Sequence, residues 1–153
     1  SETSENEDID ILSELNITDY KDRLKLRFNN KNFFNESDTI KERTKNFTKK
    51  IIFICRKLPK NREGFLIGNQ IFKSATSVAS NYRAACRGRS KAEFIAKLGI
   101  VEEEADETLF WLEVIEGVGI FKRESILSLM QEGNEILSIV VSSINTARKV
   151  KSD

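Results

Sequence analysis

Five acidic residues within one stretch of six positions are the densest group of ionisable side chains in the sequence: Glu102, Glu103, Glu104, Asp106 and Glu107. On a helix, Glu103 and Glu107 stand one turn apart, a spacing that a metal site or an acid–base pair could use. A catalytic carboxylate pair also needs burial, which shifts its pKa, and a partner group that receives the proton. Apart from Glu102 at its edge, none of these acids falls on the apolar stripe of the segment. We therefore interpret the run as an exposed face, or as one side of a contact with a basic neighbouring helix.

The other residues that could support catalysis are scarce. The sequence contains no histidine and two cysteines, Cys55 and Cys86. This composition excludes Ser-His-Asp and Cys-His catalysis, His-ligated zinc and the Glu-x-x-His di-iron site of helical bundles. Both cysteines lie in apolar helical contexts, so we expect packed thiols and no disulfide. Gly64 and Gly68 form no phosphate-binding loop pattern. We predict a protein that is not an enzyme and that binds no metal ion or cofactor.

A basic corner occupies residues 81–94, NYRAACRGRSKAEF, where four positive charges precede the first acid: Arg83, Arg87, Arg89 and Lys91. Arg83 and Arg87 are four residues apart, so on a helix they share a face. A guanidinium group can give a phosphate two parallel charge-assisted hydrogen bonds, which makes the corner a candidate nucleic-acid surface, with Lys97 further along. Alternatively, Arg87 and Arg89 stabilise a helix C-terminus through its dipole and pair with acids of a neighbouring subunit. The sequence leaves both interpretations open.

The net charge of +1 conceals strong segregation of charge along the chain. Residues 1–20 hold seven acids and no bases, whereas residues 21–62 hold fourteen bases against four acids. A second basic stretch lies on and after the first predicted helix: Lys41, Arg43, Lys45, Lys49, Lys50, Arg56, Lys57, Lys60 and Arg62. We interpret most of it as a solvated polar face. Lys49, Lys50 and Arg56 are candidates to extend the nucleic-acid surface if they face the same way as the basic corner.

The predicted secondary structure is helical throughout residues 37–150. Thr39-x-x-Glu42 predicts the start of a first helix, which Pro59 ends. A second helix is predicted from about Phe65 to Arg87, with Gly88 closing it in a left-handed conformation. Ser90-x-x-Glu93 predicts a capping box at the start of the third helix, and residues 117–119 end it. The fourth helix is predicted at about residues 123–149.

Apolar residues recur along each predicted helix at steps of three and four. The four predicted stripes are Ile40, Phe47, Ile51, Ile54, Cys55 and Leu58; Ile71, Ala75, Val78, Tyr82, Ala85 and Cys86; Phe94, Leu98, Val101, Ala105, Leu109, Leu112 and Ile115; and Ile126, Leu129, Met130, Gly133, Ile136, Leu137, Val140, Ile144 and Ala147. Long helices with short connections predict an all-α, antiparallel up-down-up-down four-helix bundle.

Several apolar residues fall outside these stripes, as expected for a subunit interface. The candidates are Phe53, Phe110 and Trp111, with Ile52, Leu127, Ile139 and Val141 also flanking the stripes. Glu103 and Glu107 are candidates for the charged part of the same interface. We therefore predict a homo-oligomer.

Residues 1–36 differ from the rest and are interpreted as an N-terminal extension, acidic first and then basic and aromatic. Alone it contains too few apolar groups to offset the entropy of ordering, so it is predicted to be weakly structured or docked on a partner. Its acidic start does not resemble a signal peptide, and no apolar run approaches the roughly 18 residues of a membrane span. We expect a soluble, cytoplasmic protein without membrane contact.

Residues 69–113, NQIFKSATSVASNYRAACRGRSKAEFIAKLGIVEEEADETLFWLE, resemble a four-helix bundle family first noted as products of intervening sequences inside bacterial large-subunit ribosomal RNA genes. The residues that match its pattern are Gln70, Ser77, Val78, Asn81, Arg89, Ser90, Glu93 and Phe94. The resemblance covers about residues 40–148. The family's usual Asn-Ile-Ala-Glu-Gly is Asn81-Tyr82-Arg83-Ala84-Ala85 here, a departure that adds positive charge to the basic corner.

The resemblance implies a homopentameric ring of antiparallel bundles. A related protein, the accessory variability determinant of diversity-generating retroelements, works beside a reverse transcriptase and binds nucleic acid. We therefore expect a non-enzymatic accessory protein that contacts RNA or DNA through the basic corner and has a nucleic-acid enzyme, such as a reverse transcriptase, as its partner. The alternative is a protein–protein adaptor that uses residues 1–36 and does not bind nucleic acid.

Overall fold

The computed structural model describes residues 34–150, and side chains from residue 39 onward. Within that range the chain forms four α-helices and no strand: α1 (Phe34–Lys57), α2 (Arg62–Cys86), α3 (Lys91–Val118) and α4 (Arg123–Lys149). The predicted all-α class and helix number are confirmed. The predicted structure of residues 1–33 lies outside the described residues.

The first helix begins earlier than predicted. Because α1 starts at Phe34, Thr39 lies in its second turn and does not cap it, so the predicted capping box with Glu42 is wrong. Serine, aspartate and threonine favour capping positions, but each costs less than about 1 kcal/mol inside a helix, so a helix continues through them when the preceding residues also become helical. The helix ends at Lys57, as Pro59 predicts, because a proline disfavours helical geometry in the residue before it.

A tight turn joins α1 to α2 and depends on a glycine. The side chain of Asn61 accepts a hydrogen bond from the Gly64 amide at 2.9 Å and caps α2, which therefore starts three residues before the predicted Phe65. A Cβ atom on Gly64 would lie 1.8 Å from the carbonyl oxygen of Pro59. Only glycine therefore fits at this approach of two backbone segments.

Gly88 does not close α2 in the predicted left-handed conformation. Among the described residues, positive φ occurs at Gly119, where it is 71°. Arg87 forms the C-cap of α2 with φ −95° and ψ 2°. Gly88 allows the main chain at Ala85 and Phe94 to approach it closely. An added Cβ would lie 3.0 Å from the Ala85 carbonyl oxygen and 3.3 Å from the Phe94 amide nitrogen.

Both ends of α3 match the prediction. Ser90 Oγ accepts from the Glu93 amide at 3.1 Å, and the Glu93 carboxylate accepts from the Arg89 amide at 2.7 Å. The first bond satisfies an amide that the first turn of a helix leaves unpaired, and the second satisfies the amide of Arg89, which precedes the N-cap. At the other end Gly119 adopts the left-handed conformation, and its amide donates to the Glu116 carbonyl at 3.1 Å.

The four predicted stripes form the hydrophobic core. Helices α2 and α3 pack extensively, as do α3 and α4, whereas α1 packs far more extensively against α2 than against α4. The stripe residues are buried except for five that are half-buried against the core: Ile54, Cys55, Cys86, Met130 and Leu137. The prediction that Ile139 lies outside the core is wrong, since it is 2% exposed. The α4 stripe is therefore wider than one residue per turn.

Buried hydroxyl groups connect neighbouring helices through the middle of the bundle. Thr48 Oγ1, on α1, donates to the Ala75 carbonyl of α2 at 2.8 Å. Thr108 Oγ1, on α3, lies 2.8 Å from Ser74 Oγ of α2. Nearer the α1–α2 turn, Cys55 Sγ lies 3.7 Å from the Gly68 carbonyl oxygen. The small residues Ser74 and Ala75, in the SATSVAS segment at residues 74–80, allow the first two of these approaches between helices.

Candidate nucleic-acid interface

The basic corner occupies the junction of α2 and α3. Arg83 lies in the last turn of α2, Arg87 is its C-cap, and Arg89 lies in the connecting turn. All three side chains are exposed. None of them forms a side-chain hydrogen bond or ion pair with another residue of the described range. Their guanidinium groups therefore remain available to an anionic ligand.

Glu93 is the acid nearest to these arginines in the sequence. Its carboxylate accepts from the Arg89 main-chain amide, so it closes the turn and caps α3 without pairing with an arginine side chain. The nearest acids on either side in the sequence are Glu63 and Glu102. The local field at the corner is consequently positive.

Lys91 has a structural contact that the sequence did not predict. It is the first residue of α3, its side chain is half-buried, and its ammonium group donates to the main-chain carbonyl of Val150. Val150 immediately follows α4 and forms its C-cap. The contact fastens the end of α4 to the basic corner, and it also places a positive charge at the negative end of the α4 dipole.

The remaining basic candidates do not join the corner through any contact within residues 39–150. Lys97 is exposed on α3, Lys49 is exposed on α1 and Lys50 is half-buried there. The Arg56 guanidinium lies over the Phe53 ring, 5.9 Å from its centroid. Arg56 lies before the start of α2, whereas the basic corner lies at the end of α2. The 25 residues of this helix extend for about 37 Å. Arg56 and the corner therefore do not form one continuous surface along this helix.

Arg43, expected on the solvated face of α1, is instead 4% exposed. Its Nε donates to Glu132 Oε1 at 3.1 Å, and its Nη2 donates to Glu132 Oε2 at 3.3 Å and also contacts the Glu135 carboxylate. Burial raises the pKa of Glu132, and the hydrogen bonds and charge of Arg43 offset part of that rise. This ion pair joins α1 to α4 and removes Arg43 from any nucleic-acid surface.

The sequence positions of Arg43 and Glu132, relative to the apolar stripes of their helices, indicate that the two residues form a buried ion pair. Arg43 follows Ile40 by three residues and precedes Phe47 by four, which places it on the apolar stripe of α1. Glu132 likewise follows Leu129 by three and precedes Ile136 by four. Two opposite charges on two core stripes predict a buried ion pair, because an unpaired buried charge is too costly.

The interface candidates on α3 form an acidic–aromatic stripe, which we define as Glu103, Glu107, Phe110 and Trp111. Phe110 is 53% exposed and lies edge-on to the half-buried Trp111, with ring centroids 5.0 Å apart. The Trp111 indole donates to Glu107 Oε1 at 3.5 Å, and Glu103 and Glu107 are exposed. On α1, Phe53 is 58% exposed beneath Arg56 and Lys57. Aromatic and acidic groups are therefore exposed together on α3.

Within the acidic run, Glu104 is half-buried. Burial raises the pKa of Glu104, Glu107 raises it further, and Lys73 partly offsets the rise. Within the described part of the chain, no three histidine, cysteine, aspartate or glutamate side chains converge as a metal site would require. Nor does any helix in this range have the length and apolar content to cross a membrane.

Comparison with known proteins identifies relatives of this bundle. The family described as 23S rRNA-intervening sequence protein matches residues 36–142. A crystal structure of a protein of unknown function from the S23 ribosomal protein family of Bacteroides thetaiotaomicron is 31% identical in sequence, with a TM-score of 0.66. The alignment covers 71% of this chain and 97% of that chain. No curated protein matches the sequence. The chain belongs to the 23S rRNA-intervening sequence protein family.

Proposed function

We propose that this protein is a non-enzymatic, homo-oligomeric accessory protein that contacts the phosphate backbone of RNA or DNA through the basic corner. The observation that carries the proposal is the set of three exposed arginines without a side-chain partner in the described range: Arg83, Arg87 and Arg89. Glu93, the nearest acid in the sequence, caps a helix and does not neutralise these guanidinium groups. The protein would act beside a nucleic-acid enzyme such as a reverse transcriptase.

The proposed assembly is a ring of antiparallel bundles, with five copies as the expected number. Two contacts between α1 and α2 support the antiparallel arrangement. Thr48 meets Ala75, and Cys55, further along α1, meets Gly68, which is earlier on α2. When successive contacts move toward the C-terminus of one helix and toward the N-terminus of the other, the two helices run antiparallel.

The acidic–aromatic stripe supports the oligomer. Phe110 exposes much of its ring next to two carboxylates, and a large exposed aromatic side chain is typical of protein interfaces. The exposed Lys45 and Lys49 of α1 offer a complementary positive face on a neighbouring copy. Closing a ring would repeat the basic corner around the axis and multiply the number of phosphate contacts.

Two measurements test the proposal. Native mass should give a multiple of 17.5 kDa, and a monomer would contradict the assembly. RNA affinity should fall steeply between 50 and 200 mM salt, because phosphate contacts release counterions. Arg87→Glu with Arg89→Glu should abolish most of that affinity, while Lys60→Glu with Arg62→Glu, the same charge reversal at the opposite end of α2, should leave most of it intact. Salt-insensitive binding, or binding unaffected by the arginine reversal, would refute nucleic-acid contact at the corner.

A further inference from the structure

The contact between Lys91 and Val150 brings a second group of basic residues to the basic corner. Val150 follows α4 directly, and Arg148 and Lys149 form the last turn of that helix. Both side chains are exposed. Neither forms an ion pair within the part of the chain that the structure describes. Two helix ends that are far apart in sequence therefore present unpaired cations at one junction.

The segments of α2, α3 and α4 that meet at this junction are almost free of acids. Between Gly64 and Val101 the one acid is Glu93, whose carboxylate is engaged by the turn. After Glu135, the rest of α4 contains no acid. Charges that merely keep a surface soluble are generally interspersed with the opposite sign. A surface of one sign built from separate helix ends is typical of binding to a polyanion.

We infer that Arg148 and Lys149 belong to the same nucleic-acid surface as Arg83, Arg87 and Arg89. The inference rests on the proposed function and extends it to a composite basic surface, which these five residues define. Lys91 is a positioning residue here, because its ammonium group holds the end of α4 and is not counted among the phosphate contacts. The ligand chemistry is the phosphodiester backbone, contacted without reading of base sequence.

The width of the composite basic surface fits several phosphates. Packed helices lie about 8–10 Å apart, so the ends of α2, α3 and α4 together extend over roughly 20 Å. Five phosphate contacts on single-stranded RNA give a slope of about −3.5 for the logarithm of affinity against the logarithm of salt concentration. For one subunit bound to RNA, this slope corresponds to a fall in affinity of about 130-fold between 50 and 200 mM salt.

The inference is tested by measuring single-stranded RNA affinity for the full chain over this salt range. Arg148→Gln with Lys149→Gln should reduce the slope to about −2.1 and the fall in affinity to about 18-fold. The matched control is Lys122→Gln with Arg123→Gln, which removes the same charge from the opposite end of α4. We expect the control to leave the slope unchanged. Urea denaturation of both variants separates loss of binding from loss of folding, since a purely helix-stabilising role would change stability alone.

The outcomes distinguish this inference from the function on which it rests. If the wild type binds RNA but the two variants have equal slopes, Arg148 and Lys149 lie outside the surface and the inference is wrong, while the proposed function stands. If the wild type does not bind, both are wrong. Single-stranded DNA of the same sequence should bind within about threefold of RNA when contacts go to phosphates. A preference for RNA above about tenfold would indicate 2′-hydroxyl recognition and contradict backbone-only contact.

Discussion

Removing one partner of the Arg43–Glu132 ion pair should strongly destabilise the fold. The variant is Glu132→Leu, which removes the carboxylate while keeping an apolar side chain of similar size in the core. Arg43 would then keep its charge with 2% of its side chain exposed. Among the residues whose side chains are described, its remaining acidic partner would be Glu135, whose side chain is 38% exposed. The charge on Arg43 would be buried with incomplete compensation.

The expected loss follows from that burial. Removing one partner of a buried ion pair costs about 3–5 kcal/mol of unfolding free energy. Because the Glu135 carboxylate still contacts Arg43, we expect the lower limit, about 3 kcal/mol. A chain of this size loses about 2–4 °C of Tm per kcal/mol, so Tm should fall by about 6–12 °C. Glu135→Gln, which leaves the buried pair intact, should cost less than about 1 kcal/mol.

Urea denaturation followed by circular dichroism measures these changes, at one protein concentration so that association does not affect the comparison. The double variant Arg43→Met with Glu132→Leu completes a thermodynamic cycle. It should unfold within about 1 kcal/mol of the wild type or be more stable, because an apolar pair avoids the cost of desolvation. A Glu132→Leu loss below about 1 kcal/mol, or a double variant less stable than Glu132→Leu alone, would refute this account of the ion pair.

Three further predictions concern packing, capping and pH, and urea denaturation checks each. Gly64→Ala should cost about 3 kcal/mol or more, because its Cβ would lie 1.8 Å from the main-chain carbonyl oxygen of Pro59, which cannot move aside as a side chain can. Gly99→Ala, a matched change facing open space within the described range, should instead stabilise α3 by about 0.5–1 kcal/mol. Ser90→Ala should cost about 1 kcal/mol through loss of the α3 cap, and an unchanged stability would contradict that role. Burial and the nearby charge of Glu107 raise the pKa of Glu104, so the folded state retains this proton to higher pH than the unfolded chain does. This contribution to stability is complete below about pH 4.3 and is lost as pH rises through the raised pKa, so Glu104→Gln should flatten that part of the profile.

Helix α4 shows how much of this fold the sequence predicts. Its bounds, Arg123–Lys149, are those expected from a continuous apolar stripe, and α3 begins at the predicted capping box of Ser90 and Glu93. Both features depend on residues close together in sequence. The start of α2 was predicted three residues late because the signal there was Asn61, a single capping residue, and not an apolar repeat.

Tertiary contacts account for the features that the sequence did not predict. The spacing of Arg43 places it on the apolar stripe of α1, but its partner, Glu132, is 89 positions away, and the packing of α1 on α4 brings the two together. Gly88 resembled a left-handed helix terminus, but its role depends on how closely Ala85 and Phe94 approach it. The composite basic surface depends on the contact between Lys91 and the carbonyl of Val150. Periodicity locates helices and their buried faces, whereas these features depend on which helix ends meet.

The position of Trp111 gives this protein an intrinsic optical sensor. It is the single tryptophan of the chain, half-buried on the acidic–aromatic stripe with its indole near the Glu107 carboxylate. Indole fluorescence depends on solvent exposure and on nearby charges, so a molecule that covers this stripe should shift the emission to shorter wavelength. The basic corner is about 30 Å away along α3, at 1.5 Å per residue, and a ligand there should leave the emission unchanged. One unlabelled titration can therefore distinguish subunit association from ligand capture at the far end of the bundle.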